Sequence, residues 1–368
     1  MKKRNGEIDV MRFLVCIMIV VYHFCQVYGF DKFSIVTQGN IGVEFFFVVS
    51  GYLMAVSASK QSTVYGRELA DDTWRFTINK VGNFYKYYIV GIILQVIIVS
   101  VGIKHTSILN ILRGILQGIP QFTLTTMGLD YKHKSILFLS SSWYLSAMVL
   151  SSFVLYPMLR KFGDIAKKII FPIGAVFIIG YIYATTDKLN NWDYWSGAFY
   201  IGFLRGISEM ALGASLHALT ETLSERFAWL FTSEKFAVKL LLTIFKYTCY
   251  LVFFLYGKGC NLGKYFSIHA LLIVSLGIAL SFMNVGYTIK ESKLTRWLGK
   301  VSLPIYMFHG IFKTASPTLF PLKVGQESTL LLLAGVTVII CIVLYKLTNL
   351  LFVLLGKLGT AIRKKIEA

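Results

Sequence analysis

Ten stretches, each apolar along most of its length and separated by short charged segments, constrain this chain more than anything else in its sequence. They run at about 10–28, 41–58, 85–103, 137–159, 169–185, 197–217, 239–257, 265–283, 300–320 and 329–352. A helix needs about 20 mostly apolar residues to cross the hydrocarbon core of a bilayer. Each stretch reaches that length or comes near it; the one from 169 is short, and the one from 300 carries Pro304. Residues AVILMFWYC make up 56% of the 368 and charged residues only 15%, against roughly 25% charged in soluble domains. A globule of this size cannot hide so much apolar surface, and lipid is the solvent that accepts it. The expected fold is an all-α polytopic integral membrane protein with about ten transmembrane helices, in one domain over residues 1–368.

The formal net charge is +19. Such a balance often marks a nucleic-acid surface, but here the cations sit in short runs between apolar blocks, so no nucleic-acid partner is expected. With the N-terminus inside, 24 of the 37 Lys and Arg fall on the inner side and 10 on the outer side, three lying within spans. Cytoplasmic loops retain positive charge, so both termini are predicted cytoplasmic, in a multi-pass protein of the cell (plasma) membrane. The segment Met1 to Arg4 followed by an apolar run resembles a signal peptide, but no small-residue cleavage site follows, and the reading is an uncleaved first span. The inner loop 59–84 and the outer loop 104–136 read as amphipathic helices lying on membrane lipid. The five cysteines (Cys16, Cys25, Cys249, Cys260, Cys341) have no ligand-like spacing and read as small apolar filler. No metal site and no nucleotide loop is expected.

Ionisable groups inside spans are costly and default to functional candidates. Arg12 and His23 are 11 residues apart, which on a helix is three turns plus roughly 20°, so they share a face with about 16 Å between their backbones. The second span begins Gly42-Val43-Glu44, and Glu44 is expected at the depth of His23 on the antiparallel neighbour. There it would fix the imidazole tautomer and raise its basicity. Ser50-Gly51 is a small pair at mid-membrane that serves close helix approach or a substrate contact. Arg205 and Glu209, four apart, form an intrahelical pair with a structural, acceptor or gating role, and Gly202 and Gly206 suggest close packing beside them. His309, beyond Pro304, lines a cavity in this reading.

Met11-Arg12-Phe13 with His23 following, then Gly42-Val43 through Phe46-Phe47-Val48-Val49-Ser50-Gly51-Tyr52-Leu53, resembles the opening of the acyltransferase 3 family of membrane acyltransferases. Arg205-Gly206 to Glu209-Met210-Ala211-Leu212-Gly213 and Leu298-Gly299-Lys300-Val301-Ser302-Leu303-Pro304-Ile305-Tyr306-Met307-Phe308-His309 are similar to its later motifs. The resemblance implies about ten spans and transfer of an acyl group, usually acetyl from acetyl-CoA, to a hydroxyl of a cell-surface or lipid-linked glycan, beside envelope glycan biosynthesis machinery. It assigns His23 to activation of the acceptor hydroxyl and Arg12 to the donor. In Lys80-Val81-Gly82-Asn83-Phe84-Tyr85-Lys86, Asn83 replaces a second basic residue of the family pattern and Lys86 a proline, Lys86 restoring the charge. Met148 stands where some members have a glutamate. No fused extracytoplasmic hydrolase-like domain is expected.

Simple chemistry agrees. Arg12, Lys80 and Lys86 belong to a basic inner surface suited to the phosphates of coenzyme A, and a thioester needs a base and an oriented path but no metal. The catalytic candidates are therefore His23 with Glu44, the donor candidates Arg12, Lys80 and Lys86, and the acceptor candidates Ser50, Arg205, Glu209 and His309. The same buried charges with a proline-broken ninth span also fit a transporter or flippase for a glycan or small anionic solute, and a membrane scaffold is a third reading.

Overall fold

The computed structural model describes residues 4–30, 36–61, 64–129, 139, 141–189, 191–259, 263, 265–323 and 326–366. Lys2, Lys3, Cys260, the start of the stretch from 137 and the end of the loop 104–136 lie outside the described residues. Helix α1 (Gly6–Val27) begins at Asn5, whose side chain accepts from the Ile8 amide at 3.0 Å, with Glu7 and Asp9 in the positive first turn. A single 3₁₀ turn, Gly39–Ile41, leads into α2 (Gly42–Ala58). The amphipathic α3 (Gly66–Gly82) follows, then α4 (Tyr85–Leu94), which continues as a π-helix over Gln95–Ile103. Short helices α5 (Ile108–Gln117), α6 (Ile119–Phe122) and α7 (Thr126–Leu129) precede α8 (Ser142–Phe162).

Gly163, at φ +50°, ends α8 in a conformation that side chains disfavour, and a π-turn at Ala166–Ile170 starts α9 (Phe171–Thr186). A two-stranded antiparallel ribbon, β1 (Trp195–Ser196) and β2 (Phe199–Tyr200), delivers the chain to α10 (Ile201–Arg226). The rest is α11 (Ala228–Phe231), α12 (Phe236–Lys258), α13 (Phe266–Phe282), α14 (Lys293–Leu319) and α15 (Glu327–Ile366).

All ten predicted stretches fall on helices. By length and composition, seven helical stretches among the described residues are fit to cross a membrane: those containing α1, α2, α4, α8, α9, α12 and α15. The other three stretches lie on α10, α13 and α14. Helix α10 carries Arg205 and Glu209, α13 has 17 residues, and α14 contains Pro304 and Pro317. Outward apolar side chains such as Ile97, Phe177, Leu241, Leu251 and Leu351 are exposed, as a lipid-facing belt requires. The helices expected in the loops 59–84 and 104–136 are present as α3 and α5, the latter exposing Ile108, Leu109 and Leu116. Cys16, Cys25, Cys249 and Cys341 are buried.

The interior is built on two close crossings, α10 with α2 and α1 with α14. At the first, Gly51 lies on the Met210 backbone and Gly213 on the Val48 carbonyl, so any Cβ at either place collides with main chain. Paired small residues allow this approach in a bilayer, where van der Waals packing and not water exclusion holds helices together. Gly206 faces Ala147 and Ser151 of α8, and Gly202 faces Met127 and Trp143, which bears out the expectation of close packing. A buried ion pair ties the start of α1 to α12: Lys246 Nζ lies 2.9 Å from Glu7 Oε2 and donates to the carbonyls of Val285 and Tyr287, also at 2.9 Å.

Candidate active site

A cavity of about 790 Å³ opens between α2, α3, α8 and the start of α14, within the usual range for small-molecule sites. Its polar wall comes from one face of α3, where Arg75, Asn79 and Lys80 recur at helical spacing, from Asn83 capping that helix, and from Arg12 of α1. Arg12 is steered by Asp9, 3.6 Å from its guanidinium, and Asp9 is itself held by Arg4 at 2.6 Å. Lys80 donates to Ser152 Oγ at 3.3 Å. Burial, reinforced by the charge of Arg12, pushes the Lys80 ammonium down to about 7. Asp72 also lines the cavity, but Arg160 holds it at 2.6 Å and the Tyr156 hydroxyl donates to it at 3.2 Å. A cleft whose acid is already satisfied and which presents Arg12, Arg75 and Lys80 is suited to an anion.

The inner end of the cavity is aromatic and nearly uncharged. Ser50 Oγ sits 3.4 Å from the Tyr144 hydroxyl and 3.7 Å from the Met148 sulfur. Phe46 and Tyr144 line the space, with ring centroids 6.2 Å apart, and Tyr306 closes the group at 6.2 Å from Phe46 and 5.6 Å from Tyr144. Behind Tyr306, at 5.6 Å, is the ring of His309, and stacked on His309 at 5.2 Å is His23. Three aromatic rings thus partition the basic cavity from a pair of imidazoles.

The two imidazoles have different partners. Lys313 Nζ lies 3.1 Å from His23 Nδ1 and 3.3 Å from Gln26 Oε1. His309 Nδ1 is 2.6 Å from the Tyr306 carbonyl, while its Nε2 is buried without a hydrogen-bond partner and the residue is 1% exposed. The π-face contact and the close α1–α14 crossing hold both rings in one place.

Glu44 does not join them, which corrects the expected Glu44–His23 pair. Neither carboxylate oxygen of Glu44 has a hydrogen bond; Oε1 is 4.0 Å from Arg205 Nη2. Arg205 in turn holds Glu209 through Nε–Oε1 at 3.0 Å, the intrahelical pair that its spacing predicts, and lies over the Trp143 ring at 5.5 Å. Glu44, Arg205 and Glu209 are all fully buried. Helix α2 packs against α10 at the Gly51–Gly213 crossing, and across that contact Glu44 meets Arg205 of α10. Lys86 is a second correction: it is not among the cavity residues, and its ammonium lies 2.6 Å from Asn349 of α15 and over the Tyr87 ring.

The structure therefore brings Arg12, Lys80 and Ser50 to one cavity, His23 and His309 to one pair, and Glu44, Arg205 and Glu209 to one buried cluster. Sequence reasoning passed over Arg75, Tyr144, Tyr306 and Lys313 as site residues. The signal for two of them was present: Tyr306, His309 and Lys313 recur at i, i+3 and i+7, one face of α14. Among the described residues, no cluster of three or more His, Cys, Asp or Glu is placed to hold a metal ion.

A helical bundle with outward apolar sides, an internal basic cleft and a stacked histidine pair is the architecture of a multi-pass membrane protein with an internal polar site. A family model described as an acyltransferase domain matches residues 5–346. The chain belongs to this family, acyltransferase 3, and is a membrane protein that transfers acyl groups. No curated protein and no solved structure matches it.

Proposed function

We propose that the protein is a plasma-membrane O-acyltransferase that moves an acyl group, acetyl foremost, from cytoplasmic acyl-CoA to a hydroxyl of a cell-surface or lipid-linked glycan. In this reading the chain spans the membrane about ten times as one domain, with both termini cytoplasmic. The observation that carries the reading is the sequence of environments along one path: the basic cavity of Arg12, Arg75 and Lys80, then the aromatic partition, then the His23–His309 pair. The cations bind the phosphates of the donor, and the thioester arm reaches inward past Ser50 and Tyr144. An imidazole takes the proton of the acceptor hydroxyl as its oxygen attacks the thioester carbon, and the coenzyme A thiolate leaves with that proton. The motif resemblance assigns this imidazole to His23.

Purified protein in proteoliposomes with acetyl-labelled CoA and an envelope glycan fraction tests this: label passes to the glycan in wild type, and His23→Ala abolishes transfer. Transport of an anionic solute is the second reading, favoured by the buried Glu44–Arg205–Glu209 cluster, since such charges line transport paths. Protein that neither binds acetyl-CoA nor passes label points to transport.

A further inference from the structure

We infer that a second cavity, between α9 and α13, seats a lipid tail longer than one leaflet is thick, the polyisoprenoid kind that carries lipid-linked glycans. What the tail carries, the acceptor, rests on the acyltransferase reading; the groove itself does not.

This cavity measures about 740 Å³. Helices α9 and α13 both pack on α10, and Leu212 of α10 floors the space between them. Its walls are apolar over most of their length, from Pro172 and Ala175 to Ile179 on α9, with Ile268 and Leu271 on α13. Val176 and Leu272, also in the lining, are exposed, so the groove opens sideways to hydrocarbon. Gly180 lines it too, and a Cβ there would meet nothing within 4 Å. The missing side chain keeps the groove open.

The polar groups of the lining gather at one end. Tyr183 stands in the last turn of α9, Asp187 caps that helix and Tyr265 precedes α13; the two tyrosine rings lie with centroids 5.5 Å apart. A partner helix, about 10–12 Å across, does not enter a gap that two rings bridge at that distance, whereas a single hydrocarbon tail does. Carboxylate and phenol groups at the mouth exchange hydrogen bonds with the hydroxyls of a sugar. Lys188, exposed beside Asp187 in the chain, offers a phosphate its counter-charge.

Length selects the tail. The groove follows α9 from Pro172 to Asp187, about 22 Å at 1.5 Å per residue. The hydrocarbon core is about 30 Å thick, so one leaflet is about 15 Å deep. Helix α9 crosses the core once in this reading, and the groove therefore passes the midplane. A phospholipid chain rooted at one surface ends there and leaves the far third of the groove without dispersion contacts. A polyisoprenoid tail continues along it. In the proposed orientation the polar end is the outer one, and the attached glycan emerges beside the start of α10.

The probe is a long-chain polyprenyl phosphate with a diazirine at the far end of its tail, offered to the purified full-length protein in phosphatidylcholine nanodiscs. Illumination is expected to label α9 around residues 172–175. Unlabelled polyprenyl phosphate, but not added phosphatidylglycerol, is expected to compete. Gly180→Trp fills the groove and should cut labelling about tenfold or more, since a tail displaced from two methylene positions already loses that much. Gly174→Trp, on the same helix with open space around it but outside the lining, should stay within about twofold of wild type. With acetyl-labelled CoA, Gly180→Trp should raise the KM for a polyprenyl-linked glycan by a similar factor without lowering kcat. Labelling that phosphatidylglycerol also removes gives the groove to bulk lipid, and disulfide-linked dimers of Gly180→Cys in proteoliposomes give it to a second copy. Either result, or labelling indifferent to Gly180→Trp, overturns the inference and leaves the acyltransferase reading standing. Wild-type protein that labels as expected yet passes acetyl to no acceptor overturns that reading instead, and with it the assignment of the tail to an acceptor.

Discussion

Lys80 offers the sharpest test of the proposed donor site, because burial brings its titration near neutral pH. With the free ammonium held to about 7 by burial and by Arg12, raising the pH from 7 to 9 lowers its charged fraction from about one half to about one in a hundred. The phosphates of coenzyme A are already ionised above pH 7, so the ligand does not change over this range. If phosphate binding requires the charged lysine, the dissociation constant for CoA rises roughly 50-fold between pH 7 and 9, since each binding event must first recover a proton. The sign follows from the depressed value: affinity is full below pH 7 and declines above it. Isothermal titration of the purified protein with CoA, in buffers of different ionisation enthalpy, reads both quantities. At pH 8 binding should take up about 0.9 proton. Lys80→Arg keeps the charge at every pH used, so its affinity should be flat and its proton uptake near zero. A flat wild-type profile, or an equal slope in Lys80→Arg, would refute the placement of phosphate at Lys80.

Three further expectations concern other parts of the molecule. Arg205→Met strands Glu44 and Glu209 in the interior and should cost about 3–5 kcal/mol in detergent unfolding, most of it restored when both acids are changed to glutamine; an unchanged Tm contradicts the cluster. Gly51→Ala drives a methyl into the Met210 carbonyl and should destabilise by about 1–3 kcal/mol, whereas Gly82→Ala, with open space around it, should stay within about 0.5 kcal/mol of wild type. Tyr144→Ala opens the aromatic partition. Two added methylenes are worth about 1.6 kcal/mol when buried, so the ratio of kcat/KM for butyryl-CoA over acetyl-CoA should rise about 15-fold; an unchanged ratio places the acyl chain elsewhere.

What could be read in advance follows from what each inference needs. The α1, α2 and α8 helices are long apolar runs, so length and hydropathy find them without knowledge of neighbours. Arg12 and Lys80, which line the cavity, were recognisable as candidates because charge beside a span is a local signal. The Arg205–Glu209 pair is local too, being one helical turn. The partner of Glu44 is not local: Arg205 lies 161 residues further on, and only the packing of α2 against α10 brings Glu44 to it. Depth alone made His23 its apparent partner, and depth says nothing about the angle around a helix axis. Lys86 failed for a related reason, since its position on the first turn of α4 faces Asn349 instead of the cavity. Lys313 was legible from its spacing to His309, yet it carried no motif to draw attention to it.

The contact between His23 and Lys313 joins residues 290 apart in the chain. A ribosome adding about 5–20 residues each second makes Lys313 some 15–60 s after His23 has been made. The first helix therefore waits in the bilayer with its imidazole unmatched while most of the other helices are threaded in around it. This contact comes into being near the end of biogenesis, and a chain released before α14 holds the basic face of α3 but neither His309 nor Lys313.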